Sequence, residues 1–270
     1  MMQIYISILA AAMYVVCSII SGTRRNLALS FTAFAWLIHG FALWLVVFPN
    51  DTLRLGFAVM LSAAMWVSVL VYWLENLNFS LDGLKVLMLP TAALMTVLPI
   101  FFPGNVVVLS DKSTMFPWHL IVALLAYSTL TIAAFHAVVM SVQDAQLHKL
   151  RGNRQQHWMQ AAIERLPAIM TMEKILFRLI FIGFILLTLT VLSGVIFTEQ
   201  ILGVAFKWDH KTLFSLLSWV LFGILLIGRK WRGWRGKTVL TFTMVGFFAL
   251  LLAYVGSRFV LEVMLHRSLT

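Results

Sequence analysis

The chain has 270 residues, of which 61% are hydrophobic and only 11% are charged, and its formal net charge is +10. About a quarter of the residues in a soluble globular domain are charged, so this composition excludes an ordinary soluble protein and indicates an integral membrane protein. The apolar stretches are long and uninterrupted, which favours transmembrane helices over the shorter, alternating strands of a membrane β-barrel.

Eight apolar stretches are long enough to cross a bilayer, which requires about 18 residues or more. They predict an all-α fold, a polytopic transmembrane helical bundle that forms a single membrane domain over residues 1–270. The predicted spans cover roughly residues 3–21, 27–48, 54–74, 84–102, 117–140, 174–198, 211–228 and 238–258. The N-terminus has no basic n-region and no A-x-A cleavage site, so we expect the first span to remain as an anchor.

The distribution of basic residues predicts the orientation of the bundle. If the loop that holds Arg24 and Arg25 is cytoplasmic, 14 of the 20 Lys and Arg residues lie in cytoplasmic loops or at adjacent helix ends. Because Lys and Arg are enriched on the cytoplasmic side of membrane proteins, we expect both termini outside. The segment at about 141–173 is then cytoplasmic, and the mixed apolar and charged residues of its latter half, HWMQAAIERLPAIMTMEK, predict a helix lying in the membrane interface and interrupted near Pro167. Since insertion explains the positive charge, no nucleic-acid partner is expected.

Several classes of chemistry lack their motifs in this sequence. There is no P-loop, no GxSxG and no HExxH. Cys17 is the only cysteine and lies in the first span, which excludes an internal disulfide, a CxxC thiol pair and a CxxCH haem attachment site. Asp and Glu cluster at the predicted helix ends, which argues against an ion-driven pump. We therefore expect that the protein is not an enzyme.

His39 lies deep in the second predicted span, between Trp36 and Trp44. A polar residue inside a bilayer is costly and suggests a function. For a lone histidine, however, a core position satisfied by hydrogen bonds is the commoner interpretation. A metal or porphyrin ligand is the alternative.

His119 and His210 stand at the outer starts of the fifth and seventh predicted spans. Both helices run inward from the outer face, so the two imidazoles are expected at the same depth. Such a pair can ligate one haem iron axially or bind another metal through neutral nitrogens. The alternative is that both hydrogen-bond at the level of the lipid headgroups. His136 belongs to the other leaflet, and no role is assigned to it or to His148, His157 and His266.

The segment at about 199–211 ends in a Trp-Asp-His cluster on the outer face. Trp208 could stack on a planar apolar ligand, although tryptophans are also common in the aromatic belt of the membrane interface. Asp209 could orient the neighbouring imidazole, or it could pair with Lys207 or Lys211, and exposed pairs of that kind contribute little to stability.

The run WDHKTLFSLLSWVLFGILLIGRKWRGWRGK at 208–237, followed by GSRFV at 256–260, resembles the cytochrome c assembly membrane family of CcsA/CcmC-like haem-handling proteins. The resemblance is closest to the short YpjD/HemX-like branch of that family. Other matching pieces are WLIHGFALW around His39, His119 with AYSTLTIAAFHAV at 126–138, and LPAIMTMEKILF at 166–177. Together they cover most of the chain.

The resemblance implies a haem-binding protein of the bacterial inner membrane that acts in haem trafficking or cytochrome c assembly. Larger relatives hold haem between two external histidines beside a tryptophan-rich loop that ends in Trp-Asp. By resemblance, Trp208 and Asp209 are the remnant of that loop, His119 and His210 stand near the flanking histidines, and His39 stands near an intramembrane histidine. Before Trp208 this chain reads EQILGVAFK, with no further tryptophan. The expected partners are haem, the lipid bilayer and another membrane or cytochrome-assembly protein.

The alternative function belongs to a different class. The chain could be a non-haem membrane subunit that stabilises or regulates a partner protein through its cytoplasmic loops, namely the 141–173 segment and the WRGWRG turn. The colour of the purified protein distinguishes the two, because haem absorbs strongly and the alternative subunit is colourless.

The orientation gives a first test. Reporter fusions after Thr270 are expected to behave as external, and fusions near Arg154 as cytoplasmic, because the basic residues follow the positive-inside rule. Paired alkaline phosphatase and green fluorescent protein fusions measure this, each reporter serving as the control for the other. A cytoplasmic C-terminal fusion would contradict the eight-span orientation.

Overall fold

In the computed structural model, eight helices of the described residues are long and apolar enough to cross a membrane. This confirms the predicted polytopic helical bundle. The described residues are 2–19, 25–49, 53–78, 81–107, 116–149, 166–202, 209–256 and 259. The helices are α1 (Met2–Ile19), α2 (Arg25–Val47), α3 (Phe57–Asn78), α4 (Asp82–Phe101), α5 (Phe116–Lys149), α6 (Ile169–Leu202), α7 (His210–Arg232) and α8 (Lys237–Leu251), the last continued by a π-helical turn, Leu252–Gly256.

The fold also contains a small sheet, which the all-α prediction did not include. Strand β1 (Leu53–Leu55) pairs antiparallel with β2 (Asn105–Val107). Three-residue strands are too short for sequence alternation to reveal them. Gly104 precedes β2 with a φ of 75°, and a Cβ atom there would lie 2.6 Å from the Leu55 carbonyl oxygen. Only glycine combines this backbone conformation with so close an approach.

Helices α5 and α6 extend from both sides into the cytoplasmic segment predicted at about 141–173, whose place at the membrane interface stays a prediction. Residues 141–149 continue α5, and residues 169–173 already belong to α6. No proline or glycine interrupts the chain between Met140 and Lys149, so nothing ends the helix at the membrane surface. Pro167 lies just before the start of α6, where the missing N–H of proline costs nothing. The middle of the predicted segment, 150–165, lies outside the described residues.

The helices pack around one contiguous apolar core to which all eight contribute. Helix α5 packs most extensively against α6, while α1 packs against α4 and α2, and α7 against α8. Many fully buried core positions are small, which lets helix backbones approach closely in a membrane. These positions include Ala10, Ala35, Ala92, Ala126 and Ala133.

Two tryptophans join α2 and α3 through a reciprocal contact. The indole rings of Trp36 and Trp66 stack with centroids 4.8 Å apart and planes 4° apart. Each Nε1–H donates a 2.9 Å hydrogen bond to the backbone carbonyl of the other residue. Gly40 faces the Trp66 ring, and a Cβ there would lie 2.9 Å from Nε1, so the absence of a side chain admits the indole. In the sequence Trp36 is notable as a neighbour of His39, whereas in the structure the Trp36 side chain joins α2 to α3.

At the end of the bundle where α3 terminates, buried carboxylates bind arginines from other helices. Glu75 of α3 accepts from Arg178 of α6 at 3.1 Å and lies 3.2 Å from His136 Nε2 of α5. Glu75 is only 7% exposed and His136 is fully buried. His136 therefore belongs to a polar cluster that joins three helices, a structural place that the sequence did not indicate.

A second carboxylate at this end explains the WRGWRG turn. Arg229 donates to Glu173 Oε1 at 2.6 Å and to the Trp234 carbonyl oxygen at 3.0 Å. Gly233 adopts a φ of 64°, and the Trp234 ring packs directly on Gly228, where any Cβ would collide with it. The conformation of the turn is thus set by its glycines and by an ion pair, in which removal of either partner is strongly destabilising.

The tryptophan pair gives a stability prediction. Trp66→Phe keeps an aromatic ring but removes one buried hydrogen bond, so we expect a loss of about 1 kcal/mol. This corresponds to an apparent Tm lowered by roughly 2–4 °C in detergent. The matched control is Trp44→Phe on α2, where the side chain is 61% exposed and the same change should leave the Tm unaltered. Equal shifts for both variants would show that the reciprocal bonds contribute nothing.

Candidate functional site

A cavity of about 370 Å³ lies between α3, α5, α6, α7 and α8, at the end of the bundle where α5 and α7 begin. Its volume falls in the lower part of the range typical of small-molecule sites. The walls are mostly aliphatic, with leucine, alanine and valine side chains from all five helices. A few polar groups converge on it, and these include His119, Tyr127, Thr190, Asp209, Lys211 and Thr212.

His119 is the histidine that the structure places in the cavity wall. It lies in the first turn of α5 and is half-buried. Its Nδ1 atom is 2.8 Å from Ser193 Oγ on the neighbouring helix α6. Gly194 follows Ser193, and a Cβ atom there would lie 3.4 Å from His119 Cε1, which is ordinary contact distance. The extensive packing of α5 on α6 thus brings the imidazole against a polar hydroxyl and a bare stretch of backbone.

The opposite wall is formed where α8 changes into its π-helical turn. Tyr254 lines the cavity from this turn, and its ring makes an edge contact with that of Tyr127, with centroids 6.0 Å apart. The Tyr127 hydroxyl donates to the Leu250 carbonyl oxygen at 3.0 Å. Single π-turns in helices occur frequently at functional sites. Here the turn directs Tyr254 and Val255 into the cavity.

At the mouth of the cavity, Asp209 caps the start of α7. Its Oδ1 atom accepts from Thr212 N at 2.8 Å and from Thr212 Oγ1 at 2.9 Å. This is the usual N-cap arrangement, in which a side-chain oxygen satisfies a backbone N–H that has no partner in the helix. Both residues line the cavity together with Lys211. The sequence suggested that Asp209 orients an imidazole or pairs with a lysine, whereas the observed bonds of Oδ1 order the helix start.

The predicted pair of histidines is placed in two different environments. The first residues of α5 and α7 do lie at the same end of the bundle, since both helix starts contribute to one cavity. The His119 ring faces that cavity. The His210 side chain is exposed, and His210 is not among the described residues that line the cavity. Trp208 lies outside the described residues, so its predicted stacking on a ligand stays a prediction.

His39 of α2 is buried against side chains of three other helices, α1, α3 and α4. Its Nδ1 atom lies 3.1 Å from the Tyr14 hydroxyl, and its Nε2 atom lies 2.9 Å from Ser62 Oγ and 3.3 Å from Thr96 Oγ1. The ring is fully buried and makes an edge contact with the ring of Tyr14. This geometry favours the interpretation of His39 as a core histidine satisfied by hydrogen bonds.

Sequence reasoning missed most of the cavity wall. The hydroxyls of Tyr127 and Thr190 and the ring of Tyr254 stand on three helices far apart in the chain, and no local spacing connects them. Glu75 carried a weak signal, because it is an acidic residue directly after a predicted span that ended at about residue 74. A search for basic or histidine partners on the other spans could have suggested the cluster with His136 and Arg178.

Comparison with known proteins identifies the family. The family model described as "Cytochrome C assembly protein" matches residues 26–265. The chain belongs to this family. This confirms the resemblance that the Trp-Asp-His segment and the WRGWRG turn suggested.

Two kinds of relative share sequence with this member of the cytochrome c assembly family. The "Inner membrane protein YpjD" of Escherichia coli strain K12 is 27% identical over 248 residues, which cover 89% of this chain and 88% of that protein. The "Cytochrome c biogenesis protein CcsA" of Gloeobacter violaceus is 32% identical over 101 residues, covering 37% of this chain and 30% of that protein. CcsA of Prochlorococcus marinus subsp. pastoris is 35% identical over 95 residues, with coverage of 35% and 30%. The similarity to YpjD is therefore global and that to CcsA is regional.

The environment of His39 gives a prediction that separates a core histidine from a ligand. His39→Leu leaves the buried hydroxyls of Tyr14 and Ser62 without their bond to the imidazole, at about 1–3 kcal/mol for each unsatisfied group, whereas Thr96 keeps its bond to the Ala92 carbonyl oxygen. We expect a Tm several degrees lower with the absorbance spectrum of any bound haem unchanged. Thr96→Val removes one of the three contacts and should give a smaller loss. An altered spectrum at an unaltered Tm would instead identify His39 as a ligand.

Proposed function

We propose that this protein binds haem in the cavity beside His119 and takes part in haem trafficking during cytochrome c assembly, without being an enzyme. The observation that carries the proposal is a half-buried imidazole on the wall of an apolar cavity that opens among five transmembrane helices. A neutral imidazole is a common axial ligand of haem iron. The bound haem would supply the iron, and the protein would supply the ligand and the apolar walls.

The residues around the cavity fit a porphyrin better than a bare metal ion. Among the described residues, no three His, Cys, Asp or Glu side chains come together as a set that could hold a metal. A porphyrin provides four ligands itself and needs only one or two from the protein. Aliphatic walls suit the apolar ring, and Lys211 at the mouth suits the carboxylates of a haem. The cavity therefore has the donor set that an amphiphilic iron porphyrin requires.

The family supports the same conclusion at a coarser level. Members of the cytochrome c assembly family include proteins named for cytochrome c biogenesis, and this chain matches the family model over most of its length. The relative that aligns over nearly the whole chain is named an inner membrane protein. We extend that location to this chain, as a multi-pass protein of the bacterial inner membrane.

The second axial ligand in this proposal is His210. It is the first residue of α7, between Asp209 and Lys211, which both line the cavity. Because its ring is exposed, it has to turn toward the cavity to reach an iron that His119 binds. Trp208 precedes the capping residue Asp209 and is proposed to contact the edge of the porphyrin. By the positive-inside rule, we propose that this end of the bundle lies on the outer face.

The alternative of a non-haem subunit rests on the other end of the molecule. In the α7–α8 turn, Trp231 is 79% exposed and Arg235 is 59% exposed, so an aromatic and a basic group are presented together. A partner protein could dock there. Interfacial tryptophans beside arginines also anchor helices in lipid, so this surface alone is a weaker argument than the cavity.

Absorbance of the detergent-purified protein after incubation with haem tests the proposal. We expect a Soret band for the wild type and loss of most of it in His119→Ala. His210→Ala should retain haem but shift the spectrum from six-coordinate to five-coordinate iron. Trp208→Ala should weaken retention modestly, by roughly the 0.5–1.5 kcal/mol of one aromatic contact. Trp231→Ala, at the other end of the bundle, is the matched control and should change nothing.

Three results of these measurements would contradict haem binding through the histidines. A wild-type protein that stays colourless and co-purifies with another membrane protein supports the alternative. An unchanged spectrum in His119→Ala contradicts ligation from the cavity wall. If Trp208→Ala empties the site while both histidine variants keep their spectra, the site is an aromatic pocket without histidine ligation.

A further inference from the structure

His119 Nδ1 is bonded to the Ser193 hydroxyl, which also lies within hydrogen-bonding distance of the Thr190 carbonyl oxygen. We infer that Ser193 is a positioning residue, which holds the His119 imidazole with its hydrogen on Nδ1 and its unprotonated nitrogen at Nε2. The inference deepens the proposed function, since it concerns the same site. The hydrogen bonds from which the tautomer is inferred are present in the protein without haem.

A count of hydrogens at Ser193 gives the direction of each bond. The Ser193 Oγ atom is 3.1 Å from the Thr190 carbonyl oxygen and 2.8 Å from His119 Nδ1. A carbonyl oxygen can only accept, so the hydroxyl donates its hydrogen to Thr190. A hydroxyl has one hydrogen and two lone pairs, so Ser193 accepts from the imidazole. With the hydroxyl hydrogen on the Thr190 carbonyl oxygen, His119 Nδ1 is the donor in its bond to Ser193.

The tautomer has a chemical consequence. A neutral imidazole with its hydrogen on Nδ1 has its lone pair on Nε2, which is the form in which Nε2 can coordinate a metal. Metal-binding histidines almost always donate their other ring N–H to a fixed acceptor, which sets the ring orientation and raises the basicity of the ligating nitrogen. Ser193 occupies the place of that acceptor, and the Thr190 carbonyl orients the hydroxyl in turn.

The local backbone of α6 reinforces this orientation. The His119 ring lies beside Gly194, where an added Cβ would be 3.4 Å from Cε1, an ordinary contact distance. Ser193 and Gly194 are consecutive, so the acceptor and the backbone beside the ring belong to the same turn of α6. Because α5 and α6 form the most extensive helix pair, the acceptor and the ring are held by the same packing.

The tautomer can be measured without haem by ¹⁵N NMR of the full-length protein labelled at histidine, with His119→Gln used to assign the His119 signals. We expect wild-type His119 to show a protonated Nδ1 and an unprotonated Nε2. Ser193→Ala should shift both signals toward a mixture of tautomers. Ser193→Thr, which keeps a hydroxyl, should restore the wild-type shifts. Ser141→Ala is the matched control, since Ser141 makes the same bond to the carbonyl three residues earlier but contacts no histidine through it.

Two results would overturn the inference. One is a wild-type His119 protonated on Nε2, and the other is a Ser193→Ala protein whose His119 signals are unchanged. If Ser193→Ala does not fold, the wild-type tautomer and the Ser193→Thr spectrum still test whether Ser193 sets the tautomer of His119.

A haem titration then tests the consequence for binding, which rests on the proposed function. Ser193→Ala should weaken haem affinity by roughly 10–100-fold, as expected for the loss of a bond to a ligating histidine, and Ser193→Thr should recover it. If the wild type binds no haem, the proposed function fails while the tautomer measurement stands by itself. If haem binds and Ser193→Ala binds it equally well, Ser193 does not position the ligand.

Discussion

The absence of water in the membrane interior is the constraint on which the rest of this structure depends. A polar side chain there has to find its partner within the protein, and the partner is often on another helix. Ser218 donates to the Gly246 carbonyl oxygen, and Trp219 donates to Thr188. The apolar surfaces of transmembrane helices do not distinguish one neighbour from another, because lipid is as apolar as leucine. These polar bonds between helices therefore specify which helices pack together and in which register.

The two ends of the bundle satisfy this constraint differently. At one end, Glu75 and Glu173 are buried against arginines of other helices. At the other end, polar groups from several helices converge on a cavity and leave a volume of about 370 Å³. Charges paired in this way rigidify the first end. The second end keeps its polar groups at the border of an open volume, which is the arrangement a ligand requires.

Three histidines of one chain illustrate how the surroundings decide the role of a residue. The His39 imidazole is enclosed by hydroxyls from three other helices and contributes to packing. The ring of His136 is buried against the carboxylate of Glu75. The Nδ1 atom of His119 is bonded to Ser193 of a neighbouring helix, and the residue lines a cavity. Of these three environments, only that of His119 combines a fixed ring with space for a ligand. Membership of the cytochrome c assembly family is consistent with that assignment.

The sequence by itself determined the class of the protein, the eight helices and the family. Hydrophobic length specifies a membrane span directly, because the thickness of the bilayer is fixed, and the Trp-Asp-His and WRGWRG segments are contiguous. Only the tertiary structure decided which histidine faces a cavity, that Asp209 caps α7, and that His136 joins a cluster with Glu75. Each of these depends on the rotation of one helix against another. That rotation is set by contacts between residues far apart in the chain, such as His119 and Ser193. Hydropathy and local spacing carry no information about such contacts.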